Sequence, residues 1–351
     1  MAFLTISNVQ MTGIAGCLPK KSEENRGLNV FDSIEDSEKF INSTGVERRR
    51  IADEHVTTSD MCFNATEKIL SDLSWDRSSI DCLIFVSQTP DYILPATSCI
   101  LQSRLQLPEE CYALDISLGC SGWVYGMSVI SSLLSTGSMK RGLLLCGDTT
   151  LKPVSKIDKS AYPLFGDAGT VTALEYSKNE SMTFHFATDG NGYDAIIIPD
   201  GGYRNPFKID SLKYDEIEPG ISRNKLQTVL NGMDVFSFGI SKAPQTVKKI
   251  MEYLDISIED VDYFTFHQAN LFMNEKIRKK LKLSEEQVPY SLKNYGNTSS
   301  ASIPLTLITE LKENLKTKKL KHIACGFGVG LSWGSVYFET NKIVVSDLVE
   351  I

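Results

Sequence analysis

Short apolar runs that alternate with helical patterns constrain this chain more than any other feature of its sequence. Cys82–Val86, Tyr112–Ile116 and Arg141–Asp148 have the length of buried strands, and residues with helical spacing lie between them. Parallel strands need long crossover connections, usually helices, and their sheets are buried on both faces. We therefore predict an α/β protein with a mostly parallel sheet that helices cover. The run at 170–175 is expected to be an edge strand that closes this half.

The order of elements repeats in the second half of the chain. A long excursion at 190–230, rich in Gly, Asn, Asp and Pro, precedes the repeated part. Beyond it the periodicity predicts helices at 233–254, 271–281 and 300–315 and strands at 263–266, 323–327 and 331–340. This repetition favours internal duplication, with residues 1–176 and 177–351 as the two halves and a division near Tyr176.

Composition excludes several classes of protein. The 351 residues are 42% hydrophobic, and no apolar stretch is long enough to cross a bilayer. The first residues lack the basic start and apolar segment of a signal peptide, so we expect a cytoplasmic protein with no membrane partner. A net charge of −8 argues against nucleic acid as the main partner, since phosphate binding needs a basic face.

The cysteine pattern predicts neither disulfides nor a metal site. None of the eight cysteines forms a CxxC motif or a Cys/His cluster with metal-ligand spacing. Five of them lie in or beside apolar segments and are expected to be reduced core thiols: Cys82, Cys99, Cys111, Cys146 and Cys325.

Cys120 stands apart because it lies where a predicted strand turns into a helix. The first turn of a helix presents unpaired N–H groups and the positive end of the dipole, which together stabilise a thiolate. Gly119 and Gly122 flank the thiol and give a substrate room to approach. A nucleophile with a lowered pKa and a buried apolar cysteine are both compatible with this segment.

Three later segments contain residues that could act with this cysteine. His267 directly follows the predicted strand at 263–266, and strand ends are where parallel sheets place functional groups. Asn297 lies in a polar loop before a helix, where a turn or a cap would also explain it. The glycine-rich run at 326–330 could be only a tight connection between strands.

Taken in order, these segments resemble the ketoacyl synthase III family, the condensing enzymes of the thiolase-like superfamily that start fatty-acid synthesis. The resemblance covers nearly the whole chain and rests on residues 115–122 around Cys120, His-Gln-Ala-Asn at 267–270, residues 296–302 around Asn297 and the glycine-rich segment 326–335. It implies a thiolase-like fold with two similar halves. Each half would be a five-stranded mixed sheet, in a layered αβαβα arrangement.

The resemblance also implies a mechanism. Cys120 would take an acyl group from a thioester, with the N–H groups of Cys120 and Val329 holding the oxyanion. The acyl-enzyme would then undergo a decarboxylative Claisen condensation with a malonyl thioester. His267 and Asn297 would stabilise the enolate, and Phe327 would crowd the carboxylate. No metal or bound cofactor is implied, since coenzyme A or phosphopantetheine thioesters are the substrates.

The resemblance implies partners as well. Family members pair as homodimers through the first half, which would place Leu94 at the acyl pocket of the partner. Acyl carrier protein is the expected protein partner. Basic residues are common at its docking positions, where this chain retains Lys279 and Lys280 but has Ser237 and Phe272 at two others.

Several positions depart from the family pattern where coenzyme A would bind. Lys39 replaces a tryptophan that stacks on adenine in many members, Ser43 replaces an arginine, and Lys159 replaces a second stacking arginine. Lysine offers no planar face for stacking. The sequence therefore predicts a primer carried on a protein or on another thioester that is not coenzyme A, although drift within the lineage also explains these residues.

Two other functions remain open from the sequence. An acyltransferase of the same fold could move the acyl group to an alcohol or an amine without decarboxylation, but such relatives often lose the asparagine that this chain keeps as Asn297. A chain-length partner or a structural subunit would be expected to lack Cys120. Condensation is the function we predict.

Overall fold

A computed structural model describes residues 2–351 of the chain. Its strands are β1 Ala2–Leu18, β2 Ser22–Glu24, β3 Arg48–Arg50, β4 Cys82–Val86, β5 Tyr112–Ile116, β6 Arg141–Asp148, β7 Ala168–Thr188, β8 Ile196–Ile197, β9 Asp215–Glu218, β10 Ile221–Arg223, β11 Val229–Leu230, β12 Tyr263–Phe266, β13 Lys319–Gly328, β14 Ser332–Asn341, β15 Val344–Val345 and β16 Val349–Glu350. Its helices are α1 Ile34–Thr44, α2 Thr58–Leu73, α3 Thr97–Arg104, α4 Gly122–Leu134, α5 Gly232–Leu254, α6 Leu271–Leu281, α7 Leu292–Tyr295, α8 Ser302–Glu310 and α9 Lys312–Thr317.

Hydrogen bonds connect ten strands, and eight of them form two five-stranded mixed sheets that share their two longest members, β1 and β7; the short strands β15 and β16 pair along β1. The first sheet has the order β5-β4-β6-β7-β1, with β5, β4 and β6 parallel and the last two pairings antiparallel. The second has the order β12-β13-β14-β7-β1, in which only β12 and β13 are parallel. This confirms the thiolase-like architecture expected above.

Strands β1 and β7 run through both sheets. Residues 9–17 of β1 pair with 169–176 of β7 in the first sheet, and residues 2–7 pair with 181–186 in the second. The register shifts between Ser7 and Val9, where Asn8 has a φ of 66°. The prediction of an edge strand at 170–175 is therefore wrong, because β7 lies inside the first sheet and β5 forms its edge.

Five layers follow from how successive strand residues face opposite sides. In β4, Leu83 and Phe85 pack against α2 and α3 on the outer side, whereas Ile84 and Val86 pack against the central helix α4. The central layer also contains α8, and α5 and α6 cover the outer face of the second sheet. Buried contacts on both faces explain why these strands are apolar without alternation.

Three other predictions need correction. The helix expected at 300–315 is a 3-10 turn at Ser299–Ala301 followed by α8 and α9, and the apolar spacing continues across the break at Leu311. The excursion at 190–230 contains two short antiparallel pairs, β8 with β11 and β9 with β10. All eight cysteines are free, but Cys99 is exposed and not part of the core.

No helix within residues 2–351 is long and apolar enough to span a membrane.

Candidate active site

A cavity of about 750 Å³ extends from the surface to the point where the two halves meet. Cys120, His267 and Asn297 all line it, so the structure brings together three residues that lie far apart in the sequence. Among its described lining residues, the ionisable ones are Cys120, His267 and Asp148, and none is a lysine or arginine. The remaining lining is largely apolar.

Cys120 lies between the end of β5 and the start of α4 and is 8% exposed. The flanking glycines serve packing: a Cβ on Gly119 would come within 2.4 Å of the side-chain oxygen of Gln88. The glycine-rich segment makes the closest approach to the thiol, since a Cβ on Gly328 would lie 2.9 Å from Sγ of Cys120. Any side chain at 328 would therefore displace the sulfur.

The thiol of Cys120 does not have the lowered pKa that its position predicted. Burial raises the pKa to about 12, and the negative charge of Asp148 acts in the same direction. Hydrogen bonds from the Ser299 hydroxyl and from the N–H groups of Val329 and Cys120 oppose that rise in pKa. At ordinary pH the thiol is therefore neutral, and Val329, one of the two residues predicted to hold the oxyanion, lines the cavity together with Cys120.

His267 follows β12 and is 2% exposed. Its Nδ1 lies 2.7 Å from the hydroxyl of Ser302, and its ring meets that of Phe327 edge-on with centroids 5.5 Å apart. Burial lowers the pKa of His267 to about 3, so the ring is neutral at ordinary pH. A neutral ring that accepts the Ser302 proton at Nδ1 carries its own proton at Nε2.

Asn297 is held by its backbone and by one side-chain atom. Its N–H donates to the carbonyl of Leu164 at 3.0 Å, and its side-chain Oδ1 accepts from the N–H of Ser299 at 3.0 Å. The amide Nδ2 has only a 3.5 Å contact with the carbonyl of Ala269. Since Nδ2 has two N–H bonds and only one of them has this partner, the other is available to a ligand oxygen in the cavity.

Sequence reasoning missed two residues that line the cavity beside the predicted ones, Ser299 and Asp148. Ser299 has a φ of 51°, and its N–H donates to Oδ1 of Asn297 at 3.0 Å. Asp148 is 1% exposed at the carboxyl end of β6, which is the usual place for functional groups in such sheets. That position was the one signal in the sequence that could have identified it.

Of the remaining predicted site residues, some line the cavity and others lie on the surface outside it. Phe327 and Val329 line the cavity beside the thiol. Leu94 is 75% exposed on a surface loop and does not reach the cavity of its own chain. Lys279 and Lys280 are exposed near the end of α6.

The cavity has a buried floor, where Cys120, His267 and Asn297 lie, and a mouth where it opens to the surface. The residues around the mouth differ from those of the floor. Lys159 does not line the cavity; its ammonium group pairs with Asp32 at 3.2 Å, and its side chain packs on Gly220 in the β9–β10 hairpin. Lys39 is paired with Glu35 and Asp36. Met233 and Phe272, which are 75% and 52% exposed, give the opening an apolar rim.

Family models match two segments of the chain. The family model for 3-oxoacyl-[acyl-carrier-protein] synthase III matches residues 114–190, and the model for its C-terminal part matches residues 251–340. The beta-ketoacyl-[acyl-carrier-protein] synthase III of Clostridium perfringens is 33% identical over 334 residues, covering 94% of this chain and 98% of the relative.

Two solved structures extend the comparison to three dimensions. The 3-oxoacyl-(acyl-carrier protein) synthase of Burkholderia xenovorans LB400 superposes with a TM-score of 0.94 at 39% identity, covering 100% of this chain and 99% of that one. The synthase III of Pseudomonas aeruginosa PAO1 gives a TM-score of 0.82 at 25% identity, covering 96% and 99%.

Proposed function

Because the chain belongs to the 3-oxoacyl-[acyl-carrier-protein] synthase III family, and is thus an acyl-transferring condensing enzyme, we propose that Cys120, His267 and Asn297 perform its two half-reactions. The observation that carries this assignment is their convergence on one buried cavity, with Cys120 supplied by the first half and the other two by the second. Asn297 is in place, and one of its two amide N–H bonds is not used by the Ala269 carbonyl, which favours condensation over acyl transfer to an alcohol or amine.

In the first half-reaction, the sulfur of Cys120 attacks the carbonyl carbon of an acyl thioester and the leaving thiol departs. The N–H groups of Cys120 and Val329 hydrogen-bond the oxyanion of the tetrahedral intermediate. Val329 lines the cavity together with Cys120, and α4 begins directly beyond that cysteine, which supports this role. The product is an acyl group bound to Cys120.

In the second half-reaction, a malonyl thioester loses carbon dioxide and leaves an enolate. Nε2–H of His267 and Nδ2–H of Asn297 donate to the enolate oxygen, where preorganised donors in a dry site have their largest effect. Phe327 crowds the carboxylate and favours its loss. The enolate carbon attacks the acyl carbonyl, the bond to Cys120 breaks, and a 3-ketoacyl thioester is released.

The substrates of this reaction are thioesters, and the steps use only groups of the chain itself. We propose that acyl carrier protein delivers them and that it contacts Lys279 and Lys280, which are exposed at the end of a helix beside the cavity. Coenzyme A is the less favoured carrier, because the cavity has no cationic lining and Lys159 and Lys39 are already paired with carboxylates.

We propose that the enzyme is a homodimer that pairs through its first half. Strand β5 is the edge of the first sheet, and Tyr112 in it is 41% exposed. The nearby loop exposes Ile93 and Leu94 at 76% and 75%, and Leu94 would reach the partner's acyl pocket. Sedimentation at micromolar concentration should give the mass of a dimer, and a monomer mass would contradict the proposal.

The proposed halves, residues 1–176 and 177–351, form one unit because β1 and β7 belong to both sheets. The cytoplasm is the proposed location, and the eight free thiols support a reducing compartment.

Intact-protein mass spectrometry after incubation with a panel of acyl-coenzyme A and acyl-carrier-protein thioesters tests the function. We expect the mass of one acyl group on Cys120, followed by its loss when a malonyl thioester is added. A protein that takes up no acyl group from any donor, or that transfers it without releasing carbon dioxide, would contradict the proposal.

A further inference from the structure

Asp148 is a buried carboxyl group that neither half-reaction described above uses. It is 1% exposed and lines the cavity with Cys120, and no lysine or arginine among residues 2–351 lines that cavity. Burial without a cationic partner is unfavourable for a carboxylate, and it raises the pKa of Asp148. The charge of Asp148 also raises the pKa of Cys120, which hinders formation of the thiolate. The benefit of this carboxylate must therefore lie in another step.

The hydrogen bonds of Asp148 connect the two halves of the chain. One carboxylate oxygen accepts from the N–H of Gln88 at 2.7 Å and from the hydroxyl of Ser87 at 3.1 Å, directly after β4. The other oxygen accepts from Ser300, at 3.3 Å from its N–H and 3.0 Å from its hydroxyl. Each oxygen therefore has one backbone donor, and the two donors come from different halves.

Ser300 belongs to the turn that holds the side chain of Asn297. The N–H of Ser299 donates to Oδ1 of Asn297 at 3.0 Å, which fixes the orientation of the amide. Ser299 has a φ of 51°, in the left-handed region that is unfavourable for residues other than glycine. Such a conformation persists only where the surrounding contacts impose it. The two bonds from Ser300, the next residue, to Asp148 are contacts of this kind.

We propose that Asp148 is a positioning residue for condensation: it holds the turn at Ser299 and Ser300 and, through that turn, the amide of Asn297. The inference rests on the proposed role of Asn297 as a donor to the enolate oxygen. The charge on that oxygen develops only in the second half-reaction, so the position of the amide matters there and not in acylation. Asp148 therefore favours condensation although its charge opposes formation of the thiolate.

Asp148→Asn tests this role, because an amide NH2 group cannot accept a hydrogen bond. Its single oxygen should keep the shorter bond from Gln88, which leaves the N–H of Ser300 without an acceptor. We expect the kcat of condensation to fall about 10- to 100-fold, as for a small displacement of a catalytic group, and the KM for the malonyl thioester to change by less than about twofold. Acylation should stay at the wild-type rate or rise, because a negative charge near Cys120 is gone.

Mass spectrometry measures acylation, and labelled carbon dioxide released by the acylated enzyme measures condensation. Asp115→Asn is the matched control. The oxygens of Asp115 accept from the N–H groups of Thr97 and Ser98, both at 2.7 Å, and this side chain does not line the cavity. The control thus loses one acceptor of a backbone N–H, as Asp148→Asn does. It should change acylation and condensation by the same factor.

Double variants show whether Asp148 acts through Asn297. In an Asn297→Ala background, Asp148→Asn should lower condensation by less than about twofold further, because the group that it positions is gone. In a Ser299→Gly background, the loss caused by Asp148→Asn should shrink to about threefold, since glycine adopts a positive φ without strain and needs no contact to hold it.

Equal losses of acylation and condensation in Asp148→Asn, or an undiminished loss in the Asn297→Ala background, would overturn the positioning role. If Asp148→Asn does not fold, Ser300→Ala decides the question: it removes the hydroxyl bond to Asp148 and should lower condensation about threefold more than acylation. A wild type that no thioester acylates, or that releases no carbon dioxide, would contradict the proposed function itself. An active wild type whose Asp148 variant loses both steps equally would contradict only the role of Asp148.

Discussion

The floor and the mouth of the cavity are built in different ways. At the floor, Cys120, His267 and Asn297 are at most 8% exposed, and the side chains of His267 and Asn297 each have a defined hydrogen-bond partner. At the mouth, Met233 is 75% exposed, and outside the cavity Lys159 pairs with Asp32, whose side chain is 77% exposed. Buried groups have one arrangement because any other leaves polar atoms unpaired, whereas exposed groups can change at little cost. We therefore expect the floor to fix the chemistry and the mouth to set the carrier of the substrate.

The largest effect should come from removing the nucleophile at the floor. Cys120→Ala should abolish covalent acylation, because no other sulfur lines the cavity close to the proposed oxyanion donors. Mass spectrometry with a donor that acylates the wild type checks this. Cys99→Ala is the control, since that thiol is exposed and should be dispensable. Residual acylation of Cys120→Ala would mean that another residue is the nucleophile.

Asn297→Ala and His267→Ala should separate the two half-reactions. Acylation should remain within a few-fold of the wild type, whereas decarboxylative condensation should fall by about 100- to 1000-fold, the usual cost of losing one oxyanion donor. Single-turnover acylation and release of labelled carbon dioxide measure the two steps independently. Equal losses in both steps would show that these side chains also serve acylation.

Burial at the floor should make the protein sensitive to acid. His267 and His322 are buried with pKa values lowered to about 3, so between pH 6.5 and 3 the unfolded chain binds protons that the folded chain does not. Stability should therefore fall as the pH falls through this window. Each histidine should contribute about 1.4 kcal/mol per pH unit well below pH 6.5.

Denaturant unfolding of wild type and His322→Gln between pH 7 and 5 measures that contribution. His322 lies outside the cavity, and its Nδ1 has no partner, so the variant isolates burial from catalysis. The slope of stability against pH should be shallower in the variant. Lys39→Gln, at the exposed mouth, should leave the slope unchanged, and equal slopes in all three proteins would contradict the prediction.

The smallest effect should appear at the mouth, in the choice of carrier. One acyl group should react with a kcat/KM about tenfold higher on acyl carrier protein than on coenzyme A, since loss of a stacking group costs roughly 1–3 kcal/mol. Asp32→Asn should reduce this difference in kcat/KM between the two carriers by about threefold, because it frees Lys159 from an exposed ion pair of small energy. A preference for coenzyme A in the wild type would show that another part of the mouth replaces the missing clamp.

Much of the fold could be predicted because its strands are buried on both faces. Cys82–Val86, Tyr112–Ile116 and Tyr263–Phe266 were predicted with the bounds that the structure has. The wrong predictions concern segments whose neighbours in the folded protein cannot be read from the local residue pattern. The run at 170–175 was expected to be an edge strand, but β7 is 21 residues long and crosses both sheets, which no local pattern reveals.

The sequence by itself determined the family and the two-sheet architecture, and it led to the proposal of Cys120, His267 and Asn297 as the catalytic residues, because an ordered set of motifs can be recognised without any knowledge of contacts. Only the tertiary structure decided the electrostatics of the site. The helix start at Cys120 predicts a lowered thiol pKa, yet burial beside Asp148 raises it, and Asp148 and Ser299 come from β6 and from the turn before α8. A pKa depends on the charges, dipoles and solvent around a group in space, and those neighbours are far away in the chain.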